Sequence, residues 1–354
     1  MINSLEIRNF RCYESVSLSD LRRINILVGK NSSGKTAFLE SIFVCGGLSP
    51  ELALRVKAWR GLAVAMISDQ AVIYRALWND MFYSFDQRKE ISVRLSGSPA
   101  VTRSLAIGYR EQPELIPIEV QKGTQQAEAR QLITFAWTDG GGNEYVLQPE
   151  VVGSQLRAKQ VSGKPIQIMP ISFYSSASVP SPEENAQYLS NLSIKHEEGA
   201  IVDFIKKEFD FVQDLSVESY SHAPTIYASV RGLAEKIPVN LLSTGVTKVL
   251  SLLLGMANQK GGVILIDELE NGIYWDRLPF IWRGLLDFSR QYDAQIFVST
   301  HSKECLEAAS KVFNNGATKD VCVMRTERDN GTSILRQFSG VDALGAVEDD
   351  IDIR

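Results

Sequence analysis

The sequence predicts an α/β fold built on a largely parallel sheet, and three observations carry that prediction. An apolar run, Ile24 to Val28, leads directly into a glycine-rich loop and then a helix. A second apolar run, Val263 to Ile266, ends in two carboxylates, which is the composition of a buried strand with a functional carboxyl end. Strand, helix and strand then alternate rapidly from Gly261 to Ser302.

Taken in order, the first 28 residues read as two or three short strands, with Leu5 and Ile7 on one face. Phe38, Leu39, Ile42 and Phe43 recur at helical spacing between Lys35 and Cys45, and Gly46-Gly47 stops that helix. Leu48 to Trp78 is helical in pattern, whereas Ile91 to Gln160 breaks into short strands with turn signals such as Thr138 to Asn143. Residues 48–165 are therefore expected to form an inserted helical and β lobe, splitting a head made of 1–47 and 166–340. The core resumes with the strand Pro165 to Tyr174, a polar, proline-bearing loop at Ser175 to Asn185 and a helix from Glu197 to Glu208. Strands follow near Val217 to Tyr220 and Thr225 to Val230, then helices starting near Val246 and Trp275. The last strands lie near Val321 to Arg325 and Ser333 to Phe338, and residues 341–354 read as an acidic tail.

Composition excludes little. A chain of 354 residues with 44% hydrophobic content can fill a substantial core. Its net charge of −5 gives no overall attraction to nucleic acid, so DNA contact would need a local basic patch. Cys12, Cys45, Cys305 and Cys322 are scattered and follow no metal or redox spacing, which fits a reducing cytoplasm. No apolar run approaches the roughly 18 residues of a membrane-spanning helix, so a soluble protein is expected.

Gly29 to Thr36 matches GxxxxGK[ST] in full, between a strand and a helix. Backbone N–H groups of this loop, with Gly29, Asn31, Ser33 and Gly34 in it, would wrap the phosphates while the helix N-terminus adds a favourable dipole. Lys35 would reach the β- and γ-phosphates, and the Thr36 hydroxyl would bind Mg²⁺. Asp267 would hold the same Mg²⁺ through water, and Glu268 would polarise the attacking water. Glu270 is expected to be structural. His301, just past the strand Ile296 to Ser299, would project from the same sheet edge and contact the γ-phosphate. His196 and His222 have no comparable neighbours in sequence and receive no role. Ser243 can cap the helix that starts near Val246, with Gly245 allowing close backbone approach, which makes an anion site or an ordinary helix cap. Because the phosphate loop already surrounds one face of its own nucleotide, the anion site fits the γ-phosphate of a second subunit.

The order of these motifs resembles the ABC-type ATPase heads of the SMC, RecF and OLD group, most closely the standalone OLD-like, AAA15/AAA21-type ATPases. Leu5 to Leu18 and Ile24 to Ile42 are similar to the amino-terminal signature of that group, and Leu241 to Leu286 with Gln295 to Ala308 to its OLD-like branch. The resemblance implies a P-loop NTPase fold of ABC type, with a mixed central sheet, flanking helices and an insertion. It implies Gly29 to Thr36 as Walker A, Asp267 and Glu268 as Walker B, Ser243 to Gly245 as signature motif, His301 as switch histidine and Asn271-Gly272 as the start of the D-loop. Arg11 resembles an arginine that lies near the nucleotide in relatives, and Asp86-Gln87 is a candidate Q-loop.

The sequence departs from relatives in three places. LSTGV replaces LSGGQ and DELENG lacks a proline, which argues against a transporter subunit. The stretch between Thr36 and Ser243 has no sustained heptads, so an SMC-type arm is not expected. The residues after Gly340 are too few for a TOPRIM nuclease domain, so an ATPase without a nuclease is expected. The resemblance implies ATP and Mg²⁺ as cofactors and a homodimer closed around ATP. It also implies a separately encoded effector, a TOPRIM-like nuclease or a toxin, in anti-phage defence. The alternatives are a RecF-like DNA repair ATPase and a nucleotide-gated scaffold with little hydrolysis.

Overall fold

The computed structural model describes residues 1–61, 77–111, 131–152, 155–176, 181–220, 223–314 and 316–354. Two sheets enclose the first helix. The central sheet runs β16 (Thr332–Ser339), β15 (Val321–Asp329), β3 (Ile24–Val28), β14 (Gln295–Thr300), β13 (Val263–Ile266), β9 (Ile171–Tyr174). All its neighbours pair in parallel except β15 with β16, so the sheet is mixed only at that edge. Every residue of β3, β13 and β14 is buried, because helices or a second sheet cover both faces. This is why these strands read as unbroken apolar runs.

Leu27, Leu265, Phe297 and Met324 point from the central sheet toward α1 (Lys35–Gly46). Ile26, Ile264, Ile266 and Val298 point the other way, toward α5 (Thr244–Asn258), α6 (Leu278–Gln291) and α7 (Lys303–Phe313). The far side of α1 is covered by a seven-stranded antiparallel sheet. Its order is β2 (Tyr13–Leu18), β1 (Ile2–Phe10), β4 (Ile91–Gly97), β5 (Arg103–Glu111), β6 (Gln131–Asp139), β7 (Glu144–Val152), β8 (Gln155–Gly163). Phe38, Leu39 and Ile42 of α1 share one core with Leu5 and Ile7 of β1 and with Val93 and Leu95 of β4. Each such fully buried side chain is worth about 1.5–3 kcal/mol, and together they far exceed the ~1 kcal/mol of a helix cap. Packing on both sides therefore holds α1, and its N-terminus needs no side-chain cap and has none.

Several sequence expectations need adjustment. Strands within 91–163 do not stand apart, since β4 pairs with β1 and continues the sheet that the first 18 residues begin. Most of the helical pattern between Leu48 and Trp78 falls on α2 (Glu51–Trp59) or outside the described residues. The expected loop before Asn185 contains the start of a helix, α3 (Pro182–Ser193), with Ser181 as N-cap accepting from the Glu184 amide and proline at its first turn. It precedes the expected helix α4 (Gly199–Glu208). A small antiparallel sheet, β10 (Val212–Tyr220), β11 (Ala223–Val230), β12 (Ile237–Pro238), follows. Residues read as an acidic tail form α8 (Gly340–Glu348), which buries Ala343, Leu344 and Val347. Among the described residues, no helix is long and apolar enough to cross a membrane.

Candidate active site

The phosphate loop leaves β3 and closes at Gly34, whose φ of 115° lies in the left-handed region. A Cβ there would fall 2.7 Å from the Tyr13 hydroxyl, and that hydroxyl donates to the Gly34 carbonyl at 3.0 Å. Only glycine fits a site so strained and so crowded. Lys35 Nζ donates to the Gly29 carbonyl at 2.6 Å and to the Lys30 carbonyl at 3.0 Å, arching back over the loop. Burial pushes its pKa down, while Glu268, Asp267 and Glu270 act to raise it. Ser33 is buried and its hydroxyl pairs with Thr326 of β15, whereas Asn31 is exposed.

The Thr36 hydroxyl donates to both Asp267 oxygens, at 3.0 and 3.2 Å. Parallel pairing of β3, β14 and β13 brings these two residues together, since it sets the carboxyl ends of all three strands side by side. Two further hydroxyls, Ser299 at 2.6 Å and Ser176 at 3.3 Å, donate to Asp267. Neither is marked in the sequence, because nothing local distinguishes a serine at a strand end. Among the described residues, no group of three or more His, Cys, Asp or Glu could hold a metal. One carboxylate beside one hydroxyl fits Mg²⁺, which keeps several waters and takes phosphate oxygens as further ligands. Thr36 and Asp267 are the residues that could hold it.

Glu268 has a φ of 52°, unusual for a non-glycine residue, and a dense set of bonds fixes it there. Its amide donates to Ser299 Oγ at 2.9 Å, and the Leu269 amide to the Ser299 carbonyl at 3.1 Å. Lys248 Nζ, from α5, donates to the carbonyls of Glu268, Leu269 and Asn271 at 2.7, 3.1 and 3.2 Å. Asn271 Nδ2 donates to Glu268 Oε2 at 2.6 Å, leaving the other carboxylate oxygen 3.6 Å from His301 Nδ1. His301 Nδ1 also lies 3.1 Å from Glu270, and Glu270 accepts from the His301 and Ser302 amides at 2.9 and 3.2 Å. Glu270 therefore ties the histidine loop to the carboxylate loop, and the imidazole is 40% exposed at the site's mouth.

Ser243 and Gly245 stand at the N-terminus of α5, on the same chain's Asn271-Gly272 turn. A Cβ on Gly245 would lie 3.0 Å from the Gly272 carbonyl. The Ser243 hydroxyl accepts from the Val246 amide at 3.2 Å, so within one chain it caps its own helix. Arg11 is engaged elsewhere: its Nε lies 2.7 Å from Glu40 and its Nη1 donates to Asp80 at 3.2 Å. Arg60 and Lys57 complete this ionic cluster, Arg60 on Glu40 in the middle of α1 and Lys57 on Asp80. Gln87 donates to Asn79 at 2.7 Å, and His222 lies outside the described residues.

Two family models match this chain. One, described as "AAA ATPase domain", covers residues 1–99, and the other, described as "AAA domain, putative AbiEii toxin, Type IV TA system", covers residues 170–307. The chain is an ATPase, with AAA-type ATPase sequence in both matched segments. The ATP/GTP phosphatase of Helicobacter pylori is 22% identical to it over 336 residues, covering 88% of each chain. RecF, the DNA replication and repair protein of Nitrosococcus oceani, is 51% identical over 45 residues, only 12% of that protein's length. An SMC head solved with the C-terminal winged-helix domain of ScpA superposes with a TM-score of 0.53 at 13% identity, covering 97% of this ATPase and 99% of that chain. At that identity the likeness establishes the fold, and the expected α/β head of ABC type with a mixed central sheet is the one present.

Proposed function

We propose that the ATPase binds Mg·ATP in the phosphate loop and closes as a homodimer around two nucleotides, driving a separately encoded effector. One observation carries the catalytic part: the Thr36 hydroxyl lies 3.0 Å from Asp267, with Glu268 next in sequence and His301 facing it across the strand ends. Lys35 draws the β- and γ-phosphates onto the loop in place of the carbonyls it now holds. The Glu268 carboxylate, oriented by Asn271, accepts a proton from the attacking water as the bond between the γ-phosphorus and the bridging oxygen breaks. Bound at Thr36 and Asp267, Mg²⁺ would supply charge neutralisation for the phosphates. His301 contacts the γ-phosphate and, through Glu270, passes its loss to the carboxylate loop. The dipole and amides of the Ser243 to Gly245 turn, offered by the second copy, complete the far side of the nucleotide.

Dimerisation and a protein effector draw support from the SMC head, which was solved with a bound domain of ScpA. A toxin or nuclease as effector, in cytoplasmic anti-phage defence, draws support from the family description that mentions a toxin and a Type IV TA system. The short, strong RecF match favours a second reading, a DNA repair ATPase, for which ATP-dependent duplex binding that weakens steeply with salt is the test. For the principal reading the test is Glu268→Gln. Turnover is expected to fall about 10²–10⁴-fold while ATP still binds with wild-type affinity. Unchanged turnover would remove Glu268 from the mechanism.

A further inference from the structure

We propose that Phe85 is the platform on which the nucleobase stacks. This rests on the nucleotide reading of the phosphate loop and adds to it the end of the ligand that no motif addresses. Strand order gives the direction. The loop leaves β3, and on one side of β3 lie β14 and β13, carrying His301, Asp267 and Glu268. The γ-phosphate must face that side, so the sugar and base leave toward the other, over β15 and β16.

On that other side the rim of the site is built from pieces fastened to each other. Thr326 of β15 pairs with Ser33 of the loop. The Ser333 amide of β16 donates to the Cys12 carbonyl at 2.9 Å, and Cys12 Sγ and Ser333 Oγ both crowd Gly34. The segment 79–86 is pinned to this rim at three points. Arg11 donates its amide to the Met81 carbonyl at 2.7 Å, Phe82 forms a bridge with Phe10, and the Tyr83 hydroxyl pairs with Thr332 beside Ser333.

Immediately beyond the last pin come two consecutive left-handed residues, Ser84 at φ 51° and Phe85 at φ 59°. A bulky side chain in that region is disfavoured, and adjacent pairs of such residues are rarer still. The usual compensation, burial of the ring, is missing: Phe82 is 2% exposed and stacks on Tyr109, whereas Phe85 is 65% exposed. Turn hydrogen bonds hold the pair in place, from the Phe85 amide to the Phe82 carbonyl at 3.0 Å and from the Asp86 amide to the Tyr83 carbonyl at 3.1 Å. An aromatic face is thus presented to solvent, at a backbone cost, on the rim where a base emerges. Any base has a π-face to lay against it, so the platform does not choose ATP over GTP.

The test compares wild type, Phe85→Ala and Phe85→Trp in steady-state ATP hydrolysis, with inorganic tripolyphosphate as a competitive inhibitor that has no base. Stacking of one base corresponds to about a tenfold change in affinity. Phe85→Ala is therefore expected to raise the KM for ATP about tenfold with kcat within about twofold, and to leave tripolyphosphate inhibition unchanged. Phe85→Trp restores the KM. An unchanged KM in Phe85→Ala, or equal weakening of ATP and tripolyphosphate, overturns the platform alone. A wild-type protein that binds no ATP overturns the nucleotide reading and the platform with it.

Discussion

Two helix N-termini are proposed to serve the site, and they are built in opposite ways. Helix α1 begins at a left-handed glycine with no side-chain cap, so its first amides are left for a ligand. Helix α5 begins at Ser243, whose hydroxyl already takes the Val246 amide. Each helix also carries a lysine whose pKa burial pushes down, in Lys248 to about 8, against nearby carboxylates that raise it. Lys35 rests on carbonyls of its own loop, partners that a triphosphate outbids for a cation. Lys248 reaches across to three carbonyls of the Glu268 loop and has no reason to leave them. One terminus is made to receive a substrate. The other is joined to the catalytic loop, so a phosphate arriving at Ser243 would act on Glu268 through a rigid connection.

The largest effect separating the two should come from cutting that connection. Lys248→Met leaves three carbonyls without their donor and frees a strained Glu268, and kcat should fall about tenfold or more, the equivalent of roughly 1.4 kcal/mol, with ATP affinity intact. A matching loss of affinity would instead make Lys248 part of the binding surface. Its titration sharpens the point. The folded pKa is depressed from 10.5 to about 8, so between those values the unfolded chain binds the extra proton. By itself this group makes the fold more stable as pH climbs through that window. The catalytic loop loses its charge-assisted bonds over the same range, so kcat should decline above about pH 8. Lys248→Arg should carry no such limb, and its persistence there would assign the limb to another group.

Ser243→Ala is the smaller perturbation. As a cap alone, the serine is worth about 1 kcal/mol of stability, read in the denaturation midpoint, with turnover per folded molecule unchanged. A serine that also serves a second subunit costs a several-fold loss of turnover in addition, steepest at low protein concentration. Loss of stability without loss of turnover would reduce the α5 terminus to an ordinary cap.

Much of this was legible because the central sheet is parallel. Strands buried on both faces are written as apolar runs, and the residues just after such runs, Gly29 to Thr36, Asp267, Glu268 and His301, converge without any knowledge of the loops between. What stayed hidden depends on pairing across long separations. No local pattern says that β4 lies beside β1, that Arg11 meets Glu40, or that Lys248 lies beneath the Glu268 loop. Two helices carry local signals that their polar neighbours mask. Ser181-Pro182-Glu183-Glu184 opens α3 with a cap, a proline and acidic residues, inside a polar stretch that reads as a loop. Ser339 caps α8 three residues before Asp342, and Ala343, Leu344 and Val347 share a face, although the acidic residues that follow read as a tail.

Closure of two chains over shared nucleotides can be measured directly as a mass. Sedimentation of the Glu268→Gln variant should give the 39.3 kDa monomer without nucleotide and twice that mass with saturating Mg·ATP. A variant that binds ATP and still sediments as a single chain at every concentration would contradict the account.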